Sequence, residues 1–461
     1  MNLADRKKVK KIRTKRSNIP KNSNRTVTEK NNKTNSIYMT SKPTEAKETT
    51  NRKKTHKIES TTSSYKKQID VNSPLKHKKV HRKNTGFSVI YGKKGEIKKN
   101  RLITLCVSFI TVFSILIFCF TSPTGPVERI TNAFELMGSG EYPNILSGTK
   151  TFALQTVNNK AFALTNSHLC GFTFSGKSFL QLQHNFSNPV LDISSERTLL
   201  YNRESNKFII SNNSGVIFEQ NLEQPIFCAD ISNNGCVAFA CESASYSAQI
   251  LVFDKNMKQF YTWYLADGLV SDVSVSNNGQ YVAVAVLKVK NGEILSQIYC
   301  LSTDEKEPVF TKELADETVL QIESISSSNF VYTTDKKVSF VKWKTGEEVN
   351  NTFSSPSYFK NISKFTLALF GEANHSDIVL FNSSGEIKHH FEFNGIIDDV
   401  SVFDNIIYIL SGNKVTYFDF NNPDKKTINL SNSVDFILGA QNGFIKINNI
   451  NIDFVTINTN D

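Results

Sequence analysis

What the chain of 461 residues lacks narrows it first. It has two tryptophans, four methionines and eleven prolines, and its eight histidines are scattered. No Gly-x-Ser-x-Gly elbow, His-Glu-x-x-His pair or Cys-x-x-Cys occurs, which removes the linear signatures of serine hydrolases, zinc proteases and dithiol sites. His56, His77 and His81 precede residue 101, the other five are dispersed, and adjacent His389 and His390 face opposite ways in a regular strand. No catalytic residue, metal ligand or cofactor is therefore expected. Acidic residues are scarce at one end: residues 1–101 hold 7 Asp/Glu against 30 Lys/Arg, while 102–461 hold 36 against 24. Only one long apolar run exists, and it lies at the step between those two charges.

That run is Leu102 to Phe120, LITLCVSFITVFSILIFCF, 19 residues without charge or proline. As a helix it reaches roughly 28 Å, close to the ~30 Å apolar core of a bilayer. A helix also satisfies its own backbone in lipid. Lys93, Lys94, Lys98, Lys99 and Arg101 flank it on one side, against Glu128 and Arg129 on the other. This asymmetry predicts residues 1–101 in the cytoplasm and 121–461 outside it. A cleaved signal peptide would show a small-x-small site, and TSPTGPVER after Phe120 supplies none. A buried helix of a soluble domain would not follow a hundred residues of polar sequence. The expectation is one transmembrane helix, 102–120, acting as a signal-anchor in the cell membrane. Thr104, Ser108, Thr111 and Ser114 form a small-residue stripe that would let two such helices approach.

Residues 1–85 are mostly Lys, Arg, Asn, Ser and Thr, too polar to offset chain entropy by burial, so the basic tail is expected to be disordered. RKKVKKIRTKR (6–16) and KHKKVHRK (76–83) would be drawn to anionic inner-leaflet lipids, at about 1 kcal/mol per basic residue near the surface. The same charge would hold phosphates of nucleic acid, but no aromatic interleaving or reader motif accompanies it, so nucleic acid is not the expected partner.

After a linker at 121–140 with a short helix near Val127–Met137, the sequence is strand-like to its end. Runs of Val, Ile, Phe, Tyr and Thr alternate with Asn, Gly, Ser and Asp. The runs repeat. PIFCADISNNGCVAFAC (225–241) aligns with LVSDVSVSNNGQYVAVA (269–285), and equivalent positions at 156, 194, 232, 276, 326, 363, 403 and 438 are 38, 38, 44, 50, 37, 40 and 35 residues apart. Each unit but the last also carries a later hairpin, with Gly176, Gly215, Gly346 and Gly385 at turns that favour φ > 0. Two turns per ~40 residues make four short strands, the signature of a propeller blade. YVAVAV (281–286) and CVAFA (236–240) are apolar on both faces, as strands between neighbouring blades must be. The fold class expected for 141–461 is all-β: an eight-bladed β-propeller whose last blade is completed by a strand from 142–150, with seven blades as the alternative.

These repeats resemble the WD40-like and quinoprotein-like propeller superfamily. The layout of basic tail, single anchor, GSGEYPNILSG segment and degenerate propeller resembles an uncharacterised family of bacterial single-pass membrane-anchored β-propeller proteins. The resemblance implies an extracytoplasmic domain of the cell envelope. Gly-His and Trp-Asp pairs of true WD40 repeats are absent, and Lys344-Thr345-Gly346 echoes a quinoprotein blade end without its docking Trp, so no quinone is expected.

Five cysteines lie outside the anchor, Cys170, Cys228, Cys236, Cys241 and Cys300. The odd number argues against a disulfide framework and for buried thiols that behave as small hydrophobes. A candidate partner-binding face comes from a second repeat. WYLADGLV (263–270) and TKELADETV (311–319) share Leu-Ala-Asp, and long mid-blade loops at 241–248 and 287–296 precede them. Loops of these two kinds open on one side of a propeller, where Tyr246, Trp263, Asp267, Lys290 and Asp316 would form a patch; the alternative is that each Asp bonds its own turn. The function expected is a non-catalytic binding or scaffold module for an envelope protein or glycan. The alternatives are a propeller enzyme without a linear motif, which raised carboxylate pKa values at the axis would favour, and a transmembrane sensor. Seven Asn-x-Ser/Thr triplets after the apolar run, at Asn185, Asn212, Asn350, Asn361, Asn374, Asn382 and Asn429, also allow a eukaryotic type II secretory protein.

Overall fold

The structure, a computed structural model, describes residues 94–120 and 124–457 apart from 354–355, 363–364 and 373. The basic segment 1–93, and with it most of the expected disordered tail, lies outside the described residues.

Eight four-stranded antiparallel sheets follow one another along the chain: blade I (151–183), II (189–221), III (226–265), IV (269–314), V (319–352), VI (356–394), VII (399–429) and VIII (436–456). Seven blades take four consecutive strands. Blade VIII has only three of its own, and its outer strand is Asn144–Ile145, paired antiparallel with Asn451–Thr456 in the register Asn144↔Ile452. The ring is thus closed by the first strand of the domain. Thr151 Oγ1 donates to Asn449 O across 298 residues of sequence and reinforces the seam.

The second strand is the most buried in most blades, and Lys160–Thr165, Thr198–Asn202 and Val237–Cys241 are buried throughout. Its two faces meet the neighbouring blades. Ala238 and Ala240 of blade III pack with Val273, Val282 and Val284 of blade IV, while Phe239 on the other face packs with Leu199 and Phe208 of blade II. Alternation of small and large residues therefore fills the wedges between blades at near-crystalline density.

In an antiparallel blade the first and third turns lie at one end and the second turn, with the exit, at the other. Helix α2 sits on the first end. α1 is Lys94–Phe120 and α2 is Pro126–Glu135. Glu128 of α2 makes a bidentate ion pair with Arg197, Nε–Oε1 and Nη2–Oε2 both 2.7 Å, and Arg197 is only 5% exposed. Asn132, also buried, donates to Glu196 and accepts from the Asn213 N–H at 3.1 Å. Lys160, from the blade I turn, donates to Ser195 O at 3.0 Å and Asn213 Oδ1 at 3.3 Å beneath the helix. Burial of this ammonium lowers its pKa to about 8. All of these partners lie in first or third turns, so this end of the ring is called the α2 face and the other the open face.

α1 begins at Lys94, eight residues before the expected span. Its described side chains are those of 101–117, and no helix among the described residues is long and apolar enough to cross a membrane. The side chains of 118–120, which complete the expected span, lie outside the described set.

Candidate functional site

The open face carries all five residues expected to form a binding patch. Tyr246, in the loop between Val237–Cys241 and Ala248–Phe253, stacks on Tyr264 with ring centroids 4.8 Å apart. Trp263 is the neighbour of Tyr264 in the strand Gln259–Leu265 and so points to the opposite face of the sheet. There it meets Tyr299 of blade IV at 5.0 Å. Lys290 pairs with Glu313 at 3.0 Å, and Asp316 with Lys336 of blade V at 2.7 Å. Asp267 is exposed and makes no side-chain hydrogen bond.

No hydrogen bond, ion pair or ring contact joins any two of the five. The Leu-Ala-Asp repeat does place Leu265 and Leu314 equivalently, both buried at the end of an outer strand. The turns that follow differ: the left-handed residue is Gly268 after one and Asp316 itself after the other, at φ 111° and 59°. Asp316 bonds an adjacent blade rather than its own turn.

The segment 287–296 is not a loop, as expected, but a hairpin. Tyr281–Lys290 and Glu293–Ser302 are paired to their ends, Lys290↔Glu293, around Asn291-Gly292 at φ 54° and 86°. That is the two-residue turn whose twist suits a tight hairpin. Both strands are ten residues long, against five to eight elsewhere among full strands, so the tip projects from the open face. Its next-to-last pair, Val289↔Ile294, is 72% and 64% exposed. Farther round the same face, an open cleft of about 750 Å³ between blades VI and VII is lined by Asn374, Ile396, Asp398, Lys414 and Asn429 among others.

The axis of the ring carries groups that the expected patch did not include. First strands present Asp192, Asp230, Asp272, Glu323, Lys360 and Asp399 toward it, all half-buried. Asp192 accepts from its own neighbour Ile193 N and from Ile231 N of the next blade, at 2.9 and 2.8 Å. Asp230 accepts from Val275 N and the Ser274 hydroxyl, at 2.6 and 2.8 Å. Asp272 reaches Val273 N and Ile322 N, and Asp399 reaches Val400 N and Ile437 N. Ser274 and Ser401 accept from Ser324 N and Gly439 N, each at 2.9 Å. A two-tier clamp thus joins blade IV to V and blade VII to VIII.

The sequence signal for this clamp is Asp-Val-Ser-Val, present at both 272–275 and 399–402. Burial raises the pKa of Asp272 to about 7 and that of Glu323 to about 8, and raises Asp192 and Asp399 as well, with Asp230 adding to Asp192. Burial lowers the pKa of Lys360, opposed by the charges of Asp399 and Glu323.

One further pattern is Gly171-Phe-Thr-Phe-Ser-Gly-Lys-Ser178, the spacing of a phosphate-binding loop. Such a loop must run from a strand into a helix, and here it is a turn between His168–Thr173 and Ser178–Gln183. Lys177 is spent on the Glu135 and Met137 carbonyls at the end of α2. The chemistry is absent.

Among the described residues there is no group of three His, Cys, Asp or Glu that could hold a metal ion. His389 and His390 do point apart: His389 lies against Phe420, and His390 pairs with Asp377 at 2.8 Å. The five outer cysteines are free and buried. A bulge after Ile226 shifts the register so that Cys228 faces Ala240 rather than Phe239.

Several solved propellers are similar to this chain. BamB from Moraxella catarrhalis is 13% identical over 70% of this chain and 98% of its own, with a TM-score of 0.46. Apo AztD from Citrobacter koseri is 12% identical over 67% and 90%, at 0.45, and the RRP9 WD40 repeats are 10% identical over 59% and 96%, at 0.40. No curated protein matches the sequence. Residues 144–457, which run from the ring-closing strand to the end of blade VIII, match the model of DUF5711, a family of unknown function, and the chain belongs to that family.

Proposed function

We propose that this protein is a membrane-anchored, non-catalytic propeller that presents its open face to an envelope protein or glycan outside the cytoplasm. The projecting hairpin carries the reading. A solvated Val289/Ile294 pair at the end of a ten-residue ribbon serves no packing purpose within the ring, and exposed apolar groups on a rigid scaffold are where partners bind. Lys290 sits at its tip, and Tyr246, Trp263, Asp267 and Asp316 lie on blades III to V at the same end of the ring. The anchor is supported by α1, whose eleven large apolar side chains between Leu102 and Ile117 are 47% to 68% exposed and uncharged, following a basic flank. The same charge would lay the basic tail on anionic inner-leaflet lipids.

The raised carboxylates at the axis favour a catalytic reading, but Asp192, Asp272 and Asp399 each have both oxygens committed to main-chain N–H groups. Committed this way they hold blades together.

Crosslinking in intact cells followed by mass spectrometry tests the reading. The wild type is expected to capture a recurrent neighbour that a Val289→Asp/Ile294→Asp variant loses and a Trp263→Ala/Asp267→Ala variant captures less of. An unchanged set of neighbours in both variants would remove the open face as the binding surface. Protease added to cells with a permeabilised outer layer is expected to digest the propeller and spare residues 1–101; the reverse pattern would refute the topology.

A further inference from the structure

α2 is amphipathic in the inverse sense. A surface helix ordinarily turns its apolar stripe to the core and its polar face to water. Here Glu128 and Asn132 are turned to the protein, where they bond Arg197, Glu196 and Asn213. Val127, Ile130 and Phe134 occupy the other side of the helix and are 74%, 37% and 63% exposed, with Met137 just beyond at 60%. The buried ion pair and amide contacts fix this orientation, so the apolar stripe is held outward.

We propose that α2 is an interfacial helix, its Val127–Ile130–Phe134 stripe lying in the headgroup region of the bilayer that α1 crosses. The proposal rests on α1 being the anchor. Only residues 121–125 separate the two helices, a reach of at most about 22 Å. The apolar stripe thus continues an apolar helix that is itself uncovered. A partner protein fits less well, because three side chains on a ten-residue helix, with Met137 just beyond, offer far less than the ~800 Å² per side of a stable interface. A helix of high amphipathicity in the plane of the interface needs only lipid. Seated so, the α2 face is turned to the membrane and the open face, with its hairpin, is turned away.

The test places a photoreactive benzophenone side chain singly at Phe113 in α1, at Phe134 in α2 and at Tyr264 at the open-face end of blade III, each exposed. The full chain is reconstituted in vesicles of phosphatidylethanolamine and phosphatidylglycerol and irradiated. Thermal unfolding of each variant confirms an intact ring. Covalent lipid adducts are expected at 113 and 134 and not at 264. Adducts at 113 with none at 134, or at 134 only with a second copy of the chain, overturn the interfacial helix and leave the anchor standing. Equal labelling at 264 also overturns it, as contact without preference. No lipid adduct at 113 removes the anchor and the proposal together.

Discussion

A carboxylate at the axis serves as a clamp because its two oxygens are satisfied by two different blades. Asp399 accepts from Val400 N in its own strand and from Ile437 N in the next. Asp399→Ala leaves both donors without acceptors and is expected to cost about 2 kcal/mol in urea unfolding, through the lost charge-assisted bonds. Glu323 gives a pH signature. Its pKa rises from the usual 4.5 to about 8 in the fold, so the folded state holds a proton that the unfolded chain releases. Its contribution is fully present below pH 4.5 and is lost as pH rises through about 8, with a slope of at most about 1.4 kcal/mol per pH unit. Glu323→Gln keeps an acceptor for Asn361 Nδ2, which lies 2.7 Å from Glu323 Oε1, and is expected to flatten the fall in urea midpoint between pH 5 and 8. An unchanged slope would show that Glu323 does not carry it. These groups were legible only as isolated acids among Val and Ser, because which backbone they clamp depends on a neighbour some forty residues away.

Elements divide into those whose pattern names their surroundings and those whose pattern does not. The alternation in YVAVAV reads directly as a strand buried on both faces, and Val282 to Val286 are so buried. The same strand continues through Leu287 to Lys290 in a hairpin, where falling hydrophobicity suggested a loop. α2 shows the limit more clearly: its periodicity gives two faces, and the ordinary rule for choosing the inner one gives the wrong face. What decides is Arg197, a buried cation 5% exposed that needs Glu128. Glu128→Ala strands that charge and is expected to lower propeller stability by roughly 3 kcal/mol, read as a drop in thermal midpoint. Removing the exposed Phe134 side chain is expected to change the same midpoint by less than ~0.5 kcal/mol-equivalent.

At the scale of the whole molecule, repeat spacing carried the blade number because each blade must present the same four strands to its neighbours. The last repeat's missing strand was itself the signal for closure, since three strands leave that blade without the outer strand that the other seven supply. A chain beginning at residue 148, without Asn144–Ile145, is expected to expose the edge of Asn451–Thr456 and to associate on sedimentation, where the full domain does not. The site was less legible than the ring. The five residues around blades III to V share one end of the ring, but their pairings depend on strand alternation and on cross-blade partners such as Tyr299 and Lys336. The closing seam also has a consequence for biosynthesis. Its two halves leave the ribosome 298 residues apart, about 15–60 s at ordinary rates of translation. For that interval the first strand has no partner, while α2 has its own as soon as blade II is made. The protein therefore secures its α2 strap early and locks its circle last.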